Sequence, residues 1–356
     1  MPPKNNTAIH KKSPRSGRIE LMRFICAVTV AGYHLGCSVE YPFELFQNSY
    51  MAVEFFFIVS GYLLAKSLRK YSVSSTEELL KTNIVCTKKR LMSFWYYYLS
   101  AIIFTSAAWV PYFGLTFTGW LEKMLGAVPN FLLLQVFGFK GADWFVPTWY
   151  LSVLMFCGYI LTAIMLKYKQ IYALYISPVV FAAFFGLIAK YNPTFDVNCF
   201  MWKGIINFGF LRGFADMSIG CTCYYIVKSG FFDRFDKRIV SGVGFISAAA
   251  LIVSLIFGSG YNIQILSLVC SIVSVPILFW DNTAAAGFNN KVMYYLGRLS
   301  LPIYLCHSIT RYYVLASLPN AGYAAQLLVF YAFTLAISAV CAAAAGGMRR
   351  IFGSKK

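Results

Sequence analysis

The feature that most constrains this chain is a succession of apolar runs, each about 20 residues long, that recurs from near the first residues to near the last. A run of that length matches the hydrocarbon thickness of a bilayer when wound as a helix. In lipid every backbone polar group must be satisfied within the segment, so helices are the expected form. Ten spans are expected, at about 19–38, 50–66, 91–110, 145–166, 171–189, 204–227, 239–257, 261–280, 299–318 and 322–347. A further apolar stretch, 124–138, carries Gly126, Pro129 and Gln135 and is read as a re-entrant or interfacial piece. Composition agrees: 59% of residues are hydrophobic and only 12% charged, with a mean hydropathy of +0.63. The fold class is therefore all-α and polytopic. Residues 1–18 and 348–356 form basic tails around one membrane domain, 19–347.

The net charge of +18 could point to nucleic acid, but its distribution points to a membrane. With the amino terminus inside, 25 of the 31 Lys and Arg residues fall in cytoplasmic segments and five outside, with Arg212 left within a span. This is the positive-inside bias, and an even number of spans puts both termini in the cytoplasm. The 67–90 segment reads as a basic cytoplasmic loop. The ten cysteines form no CxxC pair and read as small buried hydrophobes, so no metal site is expected.

Within the first span, ELMRFICAVTVAGYHLGC, Arg23 and His34 are eleven residues apart. Eleven residues are three helical turns, so both lie on one face about 16 Å apart. Ionisable groups inside a span are costly and default to function; the plain alternative is a histidine that only closes a packing contact. Depth can be compared across the hairpin of spans one and two. Glu54 falls level with His34 near the outside, and Lys66 falls level with Arg23 near the inside. Ser60 and Gly61 lie between, where glycine admits a backbone or a ligand. A histidine oriented by a carboxylate deprotonates hydroxyls, and Arg with Lys receives phosphates. Acyl-coenzyme A has a phosphate-rich head, a thin arm and a thioester at its tip.

Other groups carry two readings each. Trp149 and Tyr150 open the fourth span as an interfacial belt or as a platform for a sugar. Arg212 and Asp216 are spaced i,i+4, as a self-neutralising pair or as a charge for an oxyanion or an anionic acceptor. Ser300, Tyr304 and His307 share one face of the ninth span.

These motifs resemble the integral-membrane acyltransferase 3 family. The resemblance rests on Arg23 with His34; on Glu54, Phe56, Phe57, Ser60, Gly61 and Tyr62; on the WYLS segment at Trp149; and on Ser300, Tyr304, Leu305 and His307. Leu154 stands where many members carry a glutamate. The resemblance implies an O-acetyltransferase of a bacterial plasma membrane. It would move an acyl group, usually acetyl, from cytoplasmic acetyl-CoA to a hydroxyl of an extracytoplasmic or lipid-linked polysaccharide. His34 and Glu54 would be catalytic. Arg23, Lys66, Ser60 and Gly61 would hold the donor, and Trp149, Tyr150, Arg212, Tyr304 and His307 the acceptor. Expected partners are membrane lipid, the glycan acceptor and polysaccharide-assembly proteins, with no nucleic acid. The chain ends nine residues after the last expected span, so it would work alone or hand acyl groups to a partner. The rival is a secondary transporter or flippase for an anionic or glycan substrate; the internal symmetry common in such carriers is not evident. A structural scaffold would leave the layered hairpin unexplained.

Overall fold

The computed structural model describes residues 16–39, 44–139, 141, 146–280 and 287–353. Among these residues the fold is helical apart from one short antiparallel pair. In it β1 (Trp202–Lys203) meets β2 (Ile206–Asn207), with Trp202 opposite Asn207 and Lys203 opposite Ile206. The helices are α1 (Gly17–Gly36), α2 (Ala52–Leu68), α3 (Thr76–Phe113), α4 (Phe117–Gly126), α5 (Val128–Phe131), α6 (Trp149–Ile171), α7 (Ser177–Tyr191), α8 (Phe208–Lys228), α9 (Lys237–Phe257), α10 (Tyr261–Phe279), α11 (Lys291–Ser317) and α12 (Tyr323–Phe352). Side chains near Gly17 and near Phe352 line one cavity. We call the end of the bundle that holds both of them proximal, and the other end distal.

Among the described residues, seven stretches are long and apolar enough to cross a membrane. One of them, Trp149–Tyr191, is two helices, α6 and α7, joined by a π-helical turn at Tyr172–Ile176. The helices α8 and α11 fall outside that set, although both were expected as spans. The reason is chemical: α8 buries Arg212, Asp216, Ser218 and Thr222, and α11 buries Ser300, His307 and Thr310. Every residue of α8 from Phe208 to Tyr225 except Phe210 is buried. A helix enclosed by other helices needs no lipid-facing apolar stripe, so its hydropathy understates its place in the core.

Local signals set several helix starts. The side chain of Ser75 accepts from the Glu78 amide at 3.1 Å, while the Glu78 carboxylate accepts from the Ser74 amide at 2.8 Å. This reciprocal cap starts α3 at Thr76, and an ion pair between Lys81 and Glu77 extends it. Much of the expected 67–90 loop is therefore helix. At 1.5 Å per residue, the 38 residues of α3 span about 57 Å, well beyond the roughly 30 Å of a hydrocarbon core. The side chains of Asn207, Asp236 and Asn290 cap α8, α9 and α11 by accepting from first-turn amides. At the two chain ends, α1 already includes residues 17 and 18, and α12 runs on to Phe352, so the expected tails are partly helical.

The 124–138 stretch has two parts. α4 is a surface helix with no buried residue, and Phe117 and Leu125 on it are exposed. The chain then turns inward at Asn130 and Gln135, both fully buried. Gln135 Nε2 donates to Thr148 Oγ1 at 2.7 Å and to Asn130 Oδ1 at 3.1 Å. Tyr98 donates to the Asn130 carbonyl.

α2 and α8 cross in close contact. Glu54, Ile58 and Gly61 fall on one face of α2, and that face meets α8. A Cβ on Gly61 would lie 2.0 Å from the Met217 carbonyl oxygen, and one on Gly220 would lie 2.2 Å from that of Ile58. Small residues allow this approach in membrane helices. By contrast α1 packs chiefly on α11, with Ala27, Ala31 and Leu35 against Ile303 and Phe330.

Gly61→Ala should destabilise the protein by about 1–3 kcal/mol, the usual range for overpacking. Gly186→Ala on α7, where a Cβ meets nothing within 4 Å, should stabilise by about 0.5–1 kcal/mol through helix propensity. Thermal unfolding in detergent compares the two. Equal effects would show that the α2–α8 crossing is looser than described.

Candidate active site

Two cavities enter the bundle from opposite ends. The proximal cavity encloses about 1130 Å³. Its cations are Arg18 and Arg23 on α1, Lys66 and Lys70 at the end of α2, Lys89 and Arg90 on α3, Arg298 on α11 and Arg349 on α12. Among the described residues that line it, Glu20 is the one carboxylate. Such a surplus of positive charge in a concave site attracts and holds polyanions. Arg23 donates to Glu20 at 3.2 Å, one turn away, which fixes its guanidinium at the wall. Arg90 lies against α6 where Gly158 has no side chain; a Cβ there would be 2.1 Å from Nη1. Ser60 also lines this cavity, as does Leu154.

The cavity ends on three aromatic rings. Phe56, Tyr150 and Tyr304 all line it, with ring centres 6.2, 6.5 and 5.6 Å apart pairwise. Ser60 hydroxyl lies 3.4 Å from that of Tyr150. Behind this layer, His307 lies 5.9 Å from Tyr304, and His34 lies 4.8 Å from His307, ring centre to ring centre. His34 then lines the distal cavity of about 240 Å³, together with Thr105, Trp109, Ser308, Arg311 and Tyr312. The sequence of contacts from proximal to distal is thus Tyr304, His307, His34.

Both histidines have a fixed hydrogen-bond pattern. His34 Nδ1 is 2.9 Å from the Val30 carbonyl, and His307 Nδ1 is 3.2 Å from that of Ile303. A carbonyl only accepts, so in the neutral ring Nδ1 carries the hydrogen and Nε2 keeps the basic lone pair. Arg311 donates to the His34 carbonyl at 3.0 Å and ties α11 to the end of α1. Tyr33 donates to Asp196 at 2.6 Å on the neighbouring face.

Glu54 does not orient His34. Its two oxygens accept from Arg212 Nε at 2.7 Å and Nη2 at 2.9 Å. Arg212 also donates to the carbonyls of Val197 and Tyr50, at 2.8 Å each. Four of the five guanidinium N–H bonds are thereby used, and the side chain is 1% exposed. The expected Arg212–Asp216 pair is replaced by this one, and neither oxygen of the buried Asp216 has a hydrogen-bond partner. His34 faces α11 while Glu54 faces α8. Gly61, expected beside a ligand, meets the α8 backbone instead. Trp149 is buried, with its ring 6.4 Å from Phe57 and 6.0 Å from the Arg212 guanidinium. It is neither a belt nor a mouth residue. Glu40, Asp143 and Trp144, which fall between expected spans on the outer side, lie outside the described residues. All ten cysteines are free, and eight are buried.

Several site groups were missed in the sequence. Arg90 and Arg298 were counted only as inner charges. Arg311 stands four residues after His307, a spacing that puts both on one face and could have flagged it. Glu20 stands three before Arg23 by the same logic.

Removing one member of the buried Glu54–Arg212 pair strands the other. Glu54→Gln and Arg212→Met should each cost about 3–5 kcal/mol, read as loss of thermal stability in detergent. The double variant Glu54→Leu with Arg212→Met should recover part of that loss. A double variant no more stable than either single one would show that the pair is not the unit of stability.

The profile of an acyltransferase domain matches residues 16–344 of this chain. No curated protein and no solved structure matches it. With the profile spanning nearly every helix described above, the chain belongs to the acyltransferase 3 family and is a multi-pass membrane acyltransferase.

Proposed function

We propose that the protein moves an acyl group, acetyl foremost, from acyl-CoA in the proximal cavity to a sugar hydroxyl in the distal cavity. The acceptor is an extracytoplasmic or lipid-linked polysaccharide. The observation that carries this reading is the arrangement of the two cavities. A basic chamber opens at the proximal end, that of Gly17 and Phe352, and His34 stands at the wall of a second chamber on the far side of an aromatic layer. The coenzyme's phosphates fit the cations, with Arg23 and Lys66 among them, and the thin arm carries its thioester past Ser60, Tyr150 and Tyr304 to the two histidines, with the carbonyl carbon toward His34 and the sulfur toward His307. His34 Nε2 takes the proton of the hydroxyl as it attacks the thioester carbon, and the C–S bond then breaks. Arg212 and Glu54 act at a distance, by holding α2 and α8 together.

The same reading places the proximal end in the cytoplasm of a bacterial cell and counts ten crossings, with α8 and α11 included. The positive-inside bias supports this orientation. It also makes polysaccharide-assembly proteins the expected partners. The family match favours a transferase over the carrier reading.

Binding and turnover separate the two cavities. Arg23→Ala and Lys66→Ala should each weaken acetyl-CoA binding by roughly 10- to 100-fold, since a hydrogen bond to a charged group contributes about 1.5–3 kcal/mol. His34→Ala should bind the donor normally and lose about 10²–10⁴-fold in transfer rate. Unchanged donor affinity in both basic variants, or normal turnover without His34, would overturn the assignment.

A further inference from the structure

His307 is fully buried, and among the described residues its Nε2 has no hydrogen-bond partner. Its Nδ1 is already engaged by the Ile303 carbonyl, so the free nitrogen is the one with the lone pair. An unmet acceptor in a buried site is a cost to folding and calls for an explanation. Plain packing does not give one, since an apolar side chain would fill the space without that cost.

Its position does. Transfer of an acyl group from a thioester to an alcohol leaves a proton on the wrong side. The hydroxyl gives it up at the distal cavity, where His34 lies, and the departing sulfur needs it toward the proximal cavity, which Tyr304 lines. His307 sits between, 4.8 Å from His34 and 5.9 Å from Tyr304 by ring centres. That separation from His34 suits a proton hop through a single bridging water.

We propose that His307 is the relay that carries the proton from His34 toward the leaving thiolate. This rests on the acyl-transfer reading. The balance is closed. The hydroxyl O–H bond breaks as the O–C bond forms, and the proton goes to His34 Nε2. The tetrahedral intermediate collapses, the C–S bond breaks, and the electron pair leaves on sulfur. The proton passes through His307 Nε2 to that sulfur, which gives the neutral thiol, the ester and two neutral imidazoles. His307 acts through His34 and does not touch the acceptor.

The leaving group tests it. A selenolate is a far weaker base than a thiolate and departs without a proton. Wild type, His307→Gln and His34→Gln are assayed with acetyl-CoA and with its selenoester analogue, which keeps the same phosphates and arm. His307→Gln should bind acetyl-CoA as wild type does and lose about 100-fold in kcat with the thioester, the low end of acid–base effects. With the selenoester its rate should return close to that of wild type. His34→Gln should stay inactive with both donors. An equal loss with both donors in His307→Gln would assign His307 to structure, and no loss with the thioester would remove it from the reaction. A wild-type protein that transfers acyl from neither donor would instead overturn the acyl-transfer reading beneath the relay.

Discussion

The buried contact between Arg212 and Glu54 is the interaction on which the rest of the bundle depends. Two charges taken out of water must satisfy one another and their remaining hydrogen bonds inside the protein. Here one guanidinium does this for α2, for α8, for the Tyr50 carbonyl at the head of α2 and for the Val197 carbonyl before α8. The same two helices meet again at Gly61 and Gly220, where the absence of side chains lets the backbones touch. One crossing is thus fixed at two heights, by charge near the distal end and by shape nearer the middle. That rigid pair supplies Phe56 and Ser60 to the end of the proximal cavity.

A second packed unit carries the histidines. α1 and α11 lie together, and Arg311 closes them at the His34 carbonyl. The aromatic layer forms where the two units and α6 meet: Phe56 from α2, Tyr150 from α6 and Tyr304 from α11. This explains how a membrane enzyme can admit a polyanion from one side without opening a pore. The charged chamber stops at three rings, and what lies beyond them is a pair of imidazoles and a small chamber with aromatic walls at Trp109 and Tyr312.

Much of this was legible in the sequence, because depth in a membrane is a one-dimensional quantity. Apolar run lengths gave the helices, and the level of Arg23 and Lys66 placed both on the proximal chamber. The i,i+4,i+7 spacing of Ser300, Tyr304 and His307 put them on one face, which the structure keeps. What depth could not supply is azimuth. His34 and Glu54 share a level but turn toward different neighbours, and the true partner of Glu54 is 158 residues away. Asp216, four residues from Arg212, looked like the nearer partner and is not. The spans expected at 204–227 and 299–318 became α8 and α11, which fall short of the other helices in hydropathy because each buries charged or polar groups. Gly61 was read correctly as a place of close approach; which atom approached required the packing.

The central claim is that donor and acceptor reach His34 from opposite faces. Proteoliposomes of known orientation test it directly. Acetyl-CoA is supplied only on the proximal face, that of Gly17 and Phe352, and the sugar acceptor is sealed in the opposite compartment. The account predicts acetylated sugar in that opposite compartment and free coenzyme thiol on the proximal face. Transfer that occurs only when donor and acceptor share one face would contradict it.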